Sequence, residues 1–338
     1  MENFFKKLSA FSATTILFLL TGIFVVLFLY AKPAIKEYGF KFLIDPRWGV
    51  SINPNKLSNN QDQVLVNQDS ENIVVEEEDI GGDTPVVQEE NIQTDEEDIA
   101  IKDEDTLSQN SKVIYGGLIP IVGTILSTII AMAFAVPIAM GIAIFLSEIA
   151  PPFISKPVGV AIELLAAIPS IIYGMWGLFY FGPVVSKIFG GGSVSLLVAG
   201  LVLGIMIIPF MASLSRDSMN TTPNVLKESA YAMGATKFEV IKDVIFPYAK
   251  SGIIGSMILA LGRALGETMA VAFVIGGVFK LPEKITDPTV SIPVVLANNF
   301  AESSGMSLSA LFYLALILFV ISFLVISFAK FYFLRDKK

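Results

Sequence analysis

Six apolar runs, each about the twenty residues that a helix needs to cross a bilayer, alternate along the chain with polar connections. They are predicted at about 9–31, 113–147, 158–181, 194–214, 252–278 and 308–328. Pro120, Pro137, Pro169 and Pro209 fall inside or at the ends of these runs. Proline is tolerated there when neighbouring helices, Ser/Thr side chains or water satisfy the freed backbone groups. The expected fold is therefore all-α, a polytopic membrane bundle whose broken helices surround a pathway. The first run is longer than the apolar core of a cleaved leader, and no small-x-small site follows it promptly, so a retained anchor is expected.

Composition agrees. Only 16% of the 338 residues are charged and mean hydropathy is +0.68, against about a quarter charged in soluble domains. The net charge of −8 is unevenly held. Residues 32–112 carry 19 Asp/Glu against 7 Lys/Arg, a net of −12, which leaves +4 for the remainder. No basic stripe suits nucleic acid. With no Cys and no His, disulfides, Cys/His zinc sites and His-dependent catalysis are excluded.

Orientation follows from the connections. With both termini in the cytoplasm, the inside holds twelve basic residues: Lys6, Lys7, Lys156, Arg216, Lys227, Lys237, Lys242, Lys250, Lys330, Arg335, Lys337 and Lys338. The short outside loops hold Lys187, Lys280 and Lys284. Basic residues in short cytoplasmic loops set topology, so both termini are expected inside. The chain then divides into an anchor (1–31), a long acidic extracytoplasmic loop (32–112) and a transmembrane domain (113–335). Within the loop, 38–50 is aromatic enough to pack on the membrane domain. The Asn/Gln/Asp/Glu composition of 53–110 reads as an acidic tether, largely disordered or weakly structured.

The connection at 218–250 does not read as a linker. Pro223 and good helix formers predict one short helix, Gly234 ends it, and Thr236 is placed to cap a second. Phe238, Ile241, Val244 and Ile245 give that second helix an apolar face that must dock. In the fifth run, Arg263 falls near the bilayer midplane, with Glu267 four residues on, so the two are able to pair. Intramembrane charges normally face a bundle interior and mark a pathway. The guanidinium fork of Arg263 suits an oxyanion, whereas a structural ion pair packed through Gly262 and Gly266 is the plainer account. Glu163, Ser170, Tyr173 and Thr268 either line the route or hold the bundle together.

These residues carry a family resemblance. Glu228-Ser229-Ala230, Gly234 and Val244-Ile-Phe-Pro247 resemble the EAA loop of ABC-importer permeases. Every spacing of that loop is kept, with Ser229, Val244 and Phe246 as substitutions of similar size or character. The stretches 262–271 (Gly-Arg-Ala-Leu-Gly-Glu-Thr-Met-Ala-Val) and 163–174 (Glu-Leu-Leu-Ala-Ala-Ile-Pro-Ser-Ile-Ile-Tyr-Gly) resemble signatures of phosphate permeases of the PstC type. The resemblance implies the ABC type I importer permease fold. It also implies a heterodimer with a PstA-type permease, a homodimeric ATP-binding subunit seated on the loop, and an extracytoplasmic phosphate-binding protein. Phosphate would pass Arg263 and Glu267. No Gly-x-x-x-x-Gly-Lys-Ser/Thr occurs, so this chain would hold no cofactor and ATP/Mg would bind the partner ATPase. A PstA-type partner, a sulfate or molybdate permease and a secondary anion carrier are the alternatives. The 32–112 loop is longer than the resemblance leads one to expect.

Overall fold

The computed structural model describes residues 2–52 and 112–334. The tether expected at 53–110, and Arg335, Lys337 and Lys338, lie outside the described residues. Residues up to Gly49 and from Tyr115 form one unit, and Val50–Ile114 a second.

Helix α1 (Glu2–Tyr38) runs seven residues past the predicted end of the anchor. Its outer surface is apolar and exposed, as befits a lipid-facing helix. It lies on α12 (Gly305–Leu334) through Tyr30 stacked on Phe312, ring centres 4.8 Å apart. A short 3-10 turn (Gly39–Leu43) follows, and its Phe42 is fully buried against Tyr313. Strands β1 (Trp48–Ile52) and β2 (Lys112–Tyr115) pair. Trp48 contacts Tyr115 and stacks on Phe279, so the aromatic stretch expected to pack on the membrane domain does so.

Helix α6 (Leu196–Asn220) is the centre of the bundle, and nearly three-quarters of its apolar stretch is buried. It packs most closely on α2 (Leu118–Ile144). A Cβ at Gly200 would strike Ile130, and one at Gly204 would press on Phe134 and the Ala131 backbone. Small residues bring helices this close where lipid supplies no hydrophobic drive for association. Ser215 of α6 and Ser256 of α9 (Phe246–Leu265) share a buried hydrogen bond of 2.7 Å.

Among the described residues, six helical stretches are long and apolar enough to cross a membrane. Two differ from the hydropathy reading. The third was expected to run through 158–181. Instead α3 (Pro152–Ala166) stops short of Pro169, and the spanning stretch is Ser170–Phe189. That stretch comprises α4 (Ser170–Trp176), a π-turn at Gly177–Phe181 and α5 (Gly182–Phe189). Proline disfavours helical backbone in the residue before it, and hydropathy summed across the break does not register it.

The fifth stretch shifts toward the N-terminus, to Lys237–Leu265. Helix α7 (Asn224–Ala232) ends at Gly234, whose φ of +89° suits glycine, and Thr236 caps α8 (Lys237–Glu239) in a full capping box. The second helix is not a separate short one, however. It continues through a π-turn (Val240–Ile245) into α9. Proline has no N–H to give the turn before it, and Pro247 stands two residues past the end of that wider turn. The apolar face docks on the chain itself: Val240 and Ile245 are buried with Met140, Ala143, Met219, Ala249 and Ile253. Phe238 stays outside, exposed like Val225 and Met233.

Candidate functional site

Helix α9 stops two residues after Arg263, and the chain unwinds over Gly266, Glu267 and Thr268 before α10 (Met269–Val274). The fifth run is thus two helices meeting end to end. This changes what the four-residue spacing does. In a continuous helix Arg263 and Glu267 would share a face; across the break they do not pair. Arg263 lies in the last turn of α9, where the exposed carbonyl ends favour a cation. Its guanidinium carbon sits 5.5 Å above the centre of the Phe210 ring of α6, within cation–π range. The Oε1 of Glu267 instead accepts the backbone N–H of Ala270 at 3.2 Å, tying down the start of α10. Thr268 donates to the Gly266 carbonyl within the same break.

Among the described residues, Arg263 has no ion-pair partner. It is half-buried, on a bundle whose neighbouring surface is apolar. A guanidinium held on an aromatic ring, with its donors unused by any carboxylate, can take a planar or tetrahedral oxyanion.

The two predicted signatures meet. Gly174 of α4 packs on α10 so closely that a Cβ there would come within 2.9 Å of the Ala270 Cα. Tyr173 lies within electrostatic reach of Arg263. Its hydroxyl donates to the Leu165 carbonyl at 2.9 Å, bridging the break between α3 and α4. Ser170 opens α4 half-buried. Beside the unwound segment, an apolar cavity of about 510 Å³ is lined by Gly266, Thr268, Pro293, Leu296, Phe300 and Phe312 among others.

Glu163 is elsewhere. It sits on α3, outside the spanning stretch, and accepts from Arg216 of α6 at 2.8 Å. Arg216 also holds Asp217 at 2.8 Å and lies over Gly159, so a side chain there would displace the guanidinium. At the loop, Glu228 and Ser229 are exposed, Ala230 is half-buried and Gly234 makes the turn. From the sequence, Arg216 and Lys227 entered only as basic residues that set orientation, and neither Phe210 nor Glu148, which pairs with Lys227 at 2.6 Å, was singled out. Glu148 could have been noticed as a charge at the end of an apolar run, but Phe210 gives no such signal.

Residues 120–334 match the family model described as binding-protein-dependent transport system inner membrane component. The chain is 51% identical over 244 residues to the phosphate transport system permease protein PstC of Pasteurella multocida (strain Pm70), which covers 66% of this chain and 76% of the relative. It is 47% identical over 241 residues to the PstC protein of Xylella fastidiosa (strain 9a5c), covering 65% and 74%. Among solved structures, it resembles the inward-facing MetNI methionine ABC transporter, with a TM-score of 0.53 at 18% identity. That match covers 65% of this chain and 95% of the other. A bacterial ABC transporter involved in alginate import gives 0.50 at 15% identity, covering 65% and 79%. These two speak to the fold.

Proposed function

The chain belongs to the binding-protein-dependent transport system inner membrane component family, among the PstC phosphate permeases, and from that membership we infer how phosphate is handled. The protein is a multi-pass inner-membrane permease. In our reading, an extracytoplasmic binding protein delivers inorganic phosphate, and a PstA-type partner completes the pathway around the α9–α10 break. A homodimeric ATPase, carrying ATP/Mg, docks on the exposed apolar residues of the 218–250 loop. Both termini lie in the cytoplasm.

The observation that carries this reading is the unneutralised guanidinium of Arg263. Of the predicted pair, it is the member free to meet an anion, while Glu267 holds α10 in place. Phosphate arriving from outside exchanges part of its water shell for the fork of donors. Rocking of the two permeases, driven by the ATPase, then opens the path inward.

Vesicles reconstituted with the partner permease, ATPase and binding protein test this. Uptake of labelled phosphate should require ATP and fall by about tenfold or more in Arg263→Gln, the scale of a lost charge-assisted contact. Uptake without ATP would remove the ATP-driven reading, and full uptake by the variant would remove Arg263 from the path.

A further inference from the structure

Helix α7 touches the bundle through few side chains. Of its nine residues only Lys227 and Ala230 turn inward, three positions apart and so on one face. Ala230 rests on the apolar cluster formed by Met140, Ala143, Met219 and Ile245. Lys227 Nζ lies 2.6 Å from Oε1 of Glu148, with side chains 17% and 9% exposed. Among the described residues this is the one polar side-chain contact that joins α7 to another element.

Glu148 sits in a π-turn (Phe145–Ile149) that closes α2. The extra residue of such a turn rotates the positions after it by about 100° relative to an uninterrupted α-helix. The turn is itself fixed, because Ser155 donates to the Leu146 carbonyl at 2.6 Å. At its other end, α2 is held by a second polar contact. The Oγ1 of Thr124 accepts the N–H of Ile292, the first residue of α11 (Ile292–Asn299), at 2.8 Å. Between these ends α2 lies against α9, and a cavity wall is shared by Met132, Val136 and Leu261, two positions before Arg263.

We propose that the Lys227–Glu148 pair is the tether through which α7 moves α2, so that ATPase motion reaches the α9–α10 break. An enclosed ion pair is a weak source of stability, since desolvation offsets most of its attraction. It does fix one register between two elements that otherwise share only a small apolar contact. Both are then positioning residues, with α7 and the end of α2 moving as one body. The proposal rests on the ATP-driven importer reading.

The test uses the complete complex in vesicles, measuring labelled phosphate uptake and ATP hydrolysis together. In Lys227→Met, uptake should fall by about tenfold while hydrolysis stimulated by the loaded binding protein falls far less. Phosphate moved per ATP therefore drops. The reversed pair, Lys227→Glu with Glu148→Lys, should restore the ratio. An unchanged ratio in Lys227→Met overturns the tether.

Because the chain has no cysteine, Lys227→Cys with Glu148→Cys places two unique thiols, given cysteine-free partner subunits. This pair keeps the proposal falsifiable if Lys227→Met fails to assemble. Before bridging, it should be uncoupled; a short bis-maleimide, which adds each thiol as a thioether, should recover uptake. Failure to recover uptake on bridging means that α7 and α2 do not move as one body during transport, which also overturns the tether. The unmodified complex is the control for the underlying reading: if it takes up no phosphate with ATP, that reading fails and not the tether alone.

Discussion

At the scale of single residues, a carboxylate is held either by a side chain close by in sequence or by a backbone group across a helix break. Asp45 shows the local case. Its carboxylate accepts from Arg47 Nε at 2.9 Å and Nη2 at 2.7 Å, and the Arg47 hydrogen bonds hold it below the usual carboxylate range. A depressed folded value stabilises above the ordinary Asp range and is lost as pH falls through the lowered value. Arg47 is half exposed, so screening keeps the effect small. Acid titration of Trp48 fluorescence, with Trp176→Phe to isolate it, should show its midpoint move to higher pH in Arg47→Gln. Glu267 is the non-local case. Four-residue spacing implied a partner for Arg263, but that inference assumed an unbroken helix, and Gly266 ends it. If Glu267 serves through its hydrogen bond to Ala270, Glu267→Gln keeps an acceptor and should retain more phosphate uptake than Glu267→Ala. Equal loss in both would assign the role to the charge.

Elements were legible wherever an apolar run is bounded by polar residues, as for α2, α6 and α12, and the cap at Thr236 followed from one residue type in one place. The prolines within the runs signalled broken helices, but where each break divides a span was not legible. Pro169 separates α3 from α4, and Gly266 separates α9 from α10, yet average hydropathy passes smoothly over both. Nor does a sequence disclose which helices touch. The contact of Gly174 with Ala270 joins two signatures nearly a hundred residues apart, and it makes α4 and α10 one packed unit behind the site. Adding even a methyl group there forces the helices to shift, and overpacking of this kind costs roughly 1–3 kcal/mol. Gly174→Val should therefore lower the melting temperature of the detergent-solubilised complex, with phosphate uptake falling alongside. A variant of unchanged melting temperature would show that α4 and α10 part freely.

The whole molecule combines a permease bundle with a long acidic insertion, and the two respond to different physics. The bundle is held by close helix packing around α6. The insertion, with its runs at 76–79 and 95–98, has a composition that repels itself and has little to bury. It enters and leaves through β1 and β2, where Trp48 at the start of one strand contacts Tyr115 at the end of the other. That pairing brings Ile52 and Lys112 to the same end of a two-stranded ribbon, where a short turn can join them. Closing a loop of about six residues in place of about sixty lowers the entropic cost by about 2 kcal/mol. Replacing 53–111 with a short Gly/Asn turn should thus leave the melting temperature equal or higher. If the insertion is only a tether, ATP-dependent phosphate uptake should persist at the same concentration of binding protein. Retained stability with uptake rescued only by excess binding protein would instead assign the acidic segment to docking, because removing a docking surface weakens encounter while leaving the path past Arg263 intact.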